Sequence, residues 1–141
     1  PCFTSLYSSS ASDGYKRQTF VDICNTMLDE DLPLTVTEIP EWGDLKNNQE
    51  AFEYIRSYSP YDNVKKQEYP HMLITGGVTD PRVTYWEMTK WTAKIRDYKT
   101  DNNLLLLKMN MDAGHSGASG RYDYLNEIAL DYNFCLKINS Q

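Results

Sequence analysis

An aspartate and a histidine, each placed just beyond an apolar run, are the residues of this chain most able to do chemistry. Asp80 follows His71-Met72-Leu73-Ile74-Thr75 and the pair Gly76-Gly77. His115 follows the run Leu104 to Met109, in the loop Asp112-Ala113-Gly114-His115-Ser116-Gly117. A carboxylate beside an imidazole holds its tautomer and stabilises the imidazolium, so the ring can take a proton from a nucleophile and return it to a leaving group. Both residues also have plain readings. An aspartate before proline commonly shapes a turn, and a histidine in a glycine-rich loop is commonly structural or solvated. No serine meets the G-x-S-x-G pattern of a nucleophile elbow. Ser116 and Ser119 have the wrong glycine spacing, and Ser8, Ser9, Ser10 and Ser12 lack the glycines. Cys24 has no such elbow either. Only His71 and His115 could ligate through imidazole, so a metal site is not expected, and no cofactor is called for.

The elements that must position Asp80 and His115 follow from hydrophobic spacing. The two apolar runs read as buried strands. Between them Tyr85, Met88, Thr92 and Ile95 fall at spacings of one helical face. After the second loop, Leu125, Ile128, Ala129 and Tyr132 predict an amphipathic helix. Upstream, Phe20-Val21-Asp22-Ile23 reads as a short strand end. Residues 26–53, with Pro33, Pro40 and Gly43, read as a loop, and a short helix is expected over about Gln49 to Tyr58. The order strand, loop, helix, strand, loop, helix predicts an α/β fold of two or three parallel strands covered on both faces. In open sheets of this kind reactive groups gather beyond the carboxyl ends of strands, where Asp80 and His115 stand. So short a set of strands is expected to be part of a larger sheet.

Composition narrows the function class. The chain has 141 residues, 40% hydrophobic and 24% charged, with a net charge of −6. That balance argues against nucleic acid as the main partner, because phosphate binding needs a clustered basic surface. No stretch approaches the roughly 18–20 apolar residues of a membrane span, so no membrane partner is expected. The three cysteines, Cys2, Cys24 and Cys135, share no paired spacing and fit a reducing, cytoplasmic setting. Residues 1–19 form a serine-rich segment unlike the rest, expected to be loop-like, disordered or misread.

A resemblance runs through residues 20 to 136. The stretches Phe20-Val21-Asp22, Thr26-Met27-Leu28-Asp29 and Pro33-Leu34-Thr35 are similar to the oligopeptidase B group of the prolyl oligopeptidase family of serine peptidases. So are Glu41-Trp42-Gly43, Tyr58-Ser59-Pro60-Tyr61-Asp62-Asn63-Val64, Asp80-Pro81-Arg82-Val83, Tyr85-Trp86-Glu87, Lys90-Trp91 and Gly114-His115. The resemblance implies that residues 20–141 form the C-terminal part of an α/β-hydrolase catalytic domain. It implies that Asp80 and His115 are triad members, that Arg82 binds a carbonyl of the peptide, and that Glu38 helps select Lys or Arg at the cleaved bond. It further implies short peptides as substrates, a triad serine upstream of this chain, and a missing N-terminal half and β-propeller as structural partners. Two departures stand out. The family's Glu-Trp-Glu-Glu-Trp-Gly is here Glu38-Ile39-Pro40-Glu41-Trp42-Gly43, so one acidic position is Pro40. Residues 1–19 also do not resemble the helix and strand that follow the family's nucleophile, whose elbow would fall just upstream of Pro1, so these 141 residues alone are expected to be inactive. The alternative is a catalytically inactive remnant or a partner-binding fragment.

Overall fold

The two apolar runs pair as parallel strands. β1 (Met72–Gly77) lies beside β2 (Leu105–Asn110), with Met72 opposite Leu105 and Gly77 opposite Asn110. A parallel pair needs a crossover, and α4 (Tyr85–Tyr98) supplies it while packing across both strands. These positions come from a computed structural model that describes residues 20–33, 35–114 and 122–139. The serine-rich segment 1–19 and His115 lie outside the described residues.

Three helices precede the sheet: α1 (Ile23–Leu28), α2 (Thr35–Trp42) and α3 (Gln49–Tyr58). The helix expected near Gln49 is present, and its start is capped by Asn48, whose side chain accepts from the amide of Ala51. The upstream expectations need correcting. Ile23 opens α1 instead of ending a strand, and the supposed loop 26–53 contains α2. Pro40 sits inside α2 and cannot donate to the carbonyl of Val36, but Val36 is exposed, so water can serve that carbonyl. Packing outweighs the turn-like composition. Ile39 and Trp42 of α2 lie against the cluster of Ile23, Cys24, Met27, Leu45 and Ile55. Gly43 ends the helix at φ 97°, a left-handed conformation that glycine adopts without a Cβ penalty.

A second cluster joins Val21, Ile74, Val83 and Met88 under α4. Phe20 packs against both clusters and meets Trp42 edge-to-face at 6.0 Å. The buried face of α4 differs from expectation: Tyr85 is exposed and Glu87 takes a place in the core beside Met88, Thr92 and Ile95.

The sheet is not covered on both faces among the described residues. Side chains of β2 alternate, with Leu106 and Lys108 exposed and Leu105 and Leu107 turned toward α4. The final helix, α5 (Asp123–Asn139), forms where its periodicity predicts, yet none of its residues is buried. Leu125, Tyr132 and Leu136 remain exposed. No described helix is long and apolar enough to cross a membrane.

At the entry end of the strands, Asp101 accepts from the amides of Tyr69 (2.6 Å) and Asn103 (2.7 Å). The Lys99 ammonium beside it pulls its carboxyl down to about 2. His71 Nδ1 accepts from the Leu104 amide at 2.8 Å, which gives this histidine a structural task.

Candidate active site

Asp80 stands three residues past the end of β1 and is buried. Its Oδ1 accepts from the backbone N–H groups of Arg82 (2.8 Å) and Val83 (3.0 Å). This is the local turn that a short carboxylate makes with amides two and three residues on. The turn reading holds, and shaping the turn also immobilises the carboxylate.

The loop after β2 is held against the loop after β1. The Val78 amide donates to Asn110 O at 2.9 Å, continuing the ladder past the strands. A Cβ built on Gly77 would lie 2.2 Å from Ala113 O and 2.9 Å from Gly114 O. One built on Gly114 would lie 3.1 Å from Thr79 O. Only glycine at position 77 permits this approach. The backbone one residue before position 115 thus passes beside Thr79, the neighbour of Asp80. His115, Ser116 and Ser119 themselves lie outside the described residues.

Two further predicted residues share a cleft. Glu38, the fourth residue of α2, is half-buried and accepts from Trp42 Nε1 at 2.8 Å. The i, i+4 spacing brings indole and carboxylate together on one helix face. The cleft is lined by Thr26, Met27, Thr35 and Glu38 from the α1–α2 segment and by Pro81, Arg82 and Thr84 from the turn before α4. Arg82 is exposed at the rim, so a carboxylate and a guanidinium border one small space beside the Asp80 turn. Pro40 is exposed on α2.

Glu87 was not expected here. It is fully buried, and its Oε2 accepts from the amides of Val21 (3.1 Å) and Asp22 (3.0 Å). Its Oε1 accepts from the Thr26 hydroxyl at 2.6 Å. Burial pushes its pKa above the ordinary glutamate value, and the three hydrogen bonds oppose that push. Beside it Asp22, also buried, pairs with Lys90 at 2.6 Å. Spacing gives no signal for it: Glu87 sits about 100° around α4 from Met88, off the face that Tyr85, Met88, Thr92 and Ile95 define. Cys24 is a poor nucleophile, because burial first and Asp62 second push its thiol up to about 11.

Comparison with known proteins agrees with this architecture. Residues 14–141 match the Prolyl oligopeptidase family. Protease 2 of Moraxella lacunata is 55% identical over 117 residues, covering 83% of this chain and 17% of that protein. Dipeptidyl aminopeptidase BI of Pseudoxanthomonas mexicana is 42% identical, over 83% of this chain and 16% of its own length. The structure of oligopeptidase B from Trypanosoma brucei with covalently bound antipain superposes with a TM-score of 0.79 at 52% identity, covering 84% of this chain and 16% of that one. The chain thus spans about a sixth of the length of these relatives. Its parallel strands and flanking helices are those of an α/β-hydrolase fold, and the chain belongs to the prolyl oligopeptidase family.

Proposed function

We propose that this chain contributes the aspartate and histidine of a serine-peptidase triad to a longer oligopeptidase that cleaves short peptides after Lys or Arg. In this reading a serine outside the chain attacks the scissile carbonyl, His115 takes its proton and delivers it to the leaving amine, and Asp80 orients the imidazole. Water then releases the acyl group by the same relay in reverse order. Arg82 holds a substrate carbonyl, and Glu38 pairs with the cationic side chain, a contact strengthened by partial desolvation.

The observation that carries the reading is the close approach of the two strand-end loops, Ala113 and Gly114 against Gly77 and Thr79, with the Asp80 carboxylate pinned by two amides. The experiment is mutation of the full-length peptidase. Asp80→Asn should lower kcat by about 10⁴-fold and His115→Ala by about 10⁶-fold. Glu38→Gln should lower kcat/KM for an Arg peptide far more than for a neutral one. Full activity in His115→Ala rejects the triad, and equal losses on both peptides reject Glu38 as a selecting group.

A further inference from the structure

The cleft between Glu38 and Arg82 has two walls from distant parts of the chain. One wall includes Thr26 and Thr35 with Glu38, and the other is the turn Pro81-Arg82 with Thr84. Apolar contact alone does not fix how such walls stand relative to each other. Glu87 lies one helical turn beyond Thr84, on the element that begins where the second wall ends. Its carboxylate reaches across and takes three hydrogen bonds from the first wall's segment, two from the amides of Val21 and Asp22 and one from the Thr26 hydroxyl. Thr26 in turn passes the constraint on, since its carbonyl accepts from the Thr35 hydroxyl at 2.9 Å. Thr35 is the first residue of α2, which carries Glu38. An unbroken hydrogen-bonded path therefore runs from α4 through Glu87, Thr26 and Thr35 to the helix that bears the acidic group of the cleft.

We infer that Glu87 is a positioning residue for substrate selection: it ties the wall carrying Glu38 to the wall carrying Arg82 and so sets the width of the cleft for a cationic side chain. The inference rests on the reading that this cleft receives Lys or Arg. Both oxygens of the carboxylate are needed, one for the two amides and one for the hydroxyl. Glutamine can replace it, because its carbonyl oxygen accepts from the amides while its NH₂ donates to Thr26 Oγ1, the hydroxyl turning to suit. Alanine removes the tie and leaves two buried amides without their partner.

The test uses the full-length peptidase and equilibrium affinity, which does not require catalysis. The probes are a non-cleavable peptide with Arg at the selected position and the same peptide with norleucine there. Glu87→Ala should weaken the Arg peptide about tenfold and the norleucine peptide by less than threefold, and Glu87→Gln should stay within threefold of wild type on both. If Glu87→Ala does not accumulate as folded protein, Glu87→Asp takes its place, because its shorter side chain cannot span both sets of donors. Unchanged Arg-peptide affinity in the folded variant, equal losses on both peptides, or no Arg preference in the wild type would each overturn the inference. Wild-type protein that binds the Arg peptide with this pattern but hydrolyses nothing would sink the peptidase reading and leave the role of Glu87 standing.

Discussion

Replacing Gly77 by alanine tests the closeness of the two strand-end loops directly. The new methyl carbon would begin 2.2 Å from Ala113 O and 3.0 Å from Ala113 C, both backbone atoms that no rotamer change can move. A carbon and a carbonyl oxygen settle at about 3.3 Å or more, so the loops must separate by roughly 1 Å. Such overpacking costs about 1–3 kcal/mol of stability. A displacement of about 1 Å between groups that act together is enough to lower a rate about 10²-fold. Gly76→Ala is the control. Its methyl would meet Met109 Cε at 3.1 Å and Sδ at 3.2 Å, the end of a flexible side chain that can shift. The assay is kcat on a peptide substrate, together with the thermal midpoint, for the full-length peptidase carrying each change. We expect Gly77→Ala to lose about 10²-fold in kcat while still folded at assay temperature, and Gly76→Ala to lose less than about threefold. A Gly77→Ala enzyme within threefold of wild type, or a Gly76→Ala enzyme equally damaged, refutes the idea that this contact aligns the site.

Three further outcomes follow from the buried polar groups. Glu87 has a pKa above its ordinary value of 4.5, so its contribution is greatest below that pH and is lost as pH rises through the folded value. With Asp22 and Lys90 as the charges facing it, the stability of Glu87→Gln relative to wild type should therefore grow as pH rises from 4.5, and a flat or falling difference in urea titrations contradicts this. Lys90→Met leaves the buried Asp22 carboxylate with Asn25 as its remaining side-chain partner. Because Lys90 is 42% exposed, the cost is discounted to about 1–2 kcal/mol; an unchanged urea midpoint would argue that the pair is energetically idle. Iodoacetamide at pH 8 should label half-exposed Cys135 well before Cys24, whose thiol is held near 11, and equal rates by mass spectrometry would contradict the burial of Cys24.

The sheet and its crossover were legible because β1 and β2 are short apolar runs and the segment between them carries apolar residues at helical spacing. Asp80 was legible for the same reason, since its place is counted from the end of a strand. The segment 26–53 was not. Proline and glycine there mimic loop composition, while Ile39 and Trp42 form α2 by packing on residues of α1 and α3 that local spacing does not reveal. Glu87 was hidden because hydrophobic periodicity assigns charged residues to solvent. Its burial depends on donors more than sixty positions away. On α5 the period was right and the burial was not, because periodicity reports which residues share a face and says nothing of what covers it.

The parallel ladder also dictates an order of assembly. Its first rung pairs Met72 with Leu105, 33 positions apart, with the Met72 amide donating to Leu104 O at 2.8 Å, and the whole of α4 lies between them. Closing so long a loop costs entropy before any rung rewards it. Every rung spans the same 33 positions, so what favours nucleation at the entry end is that Asp101 and His71 hold the approaching backbones together there. Pairing then zips toward Gly77 and Asn110 and reaches the Asp80 turn last. What closes last at a ladder's end also frays first. On gentle warming, amide exchange should quicken at Val78 before Met72, and the edge that bears the Asp80 turn should loosen while the rest of the ladder is still zipped.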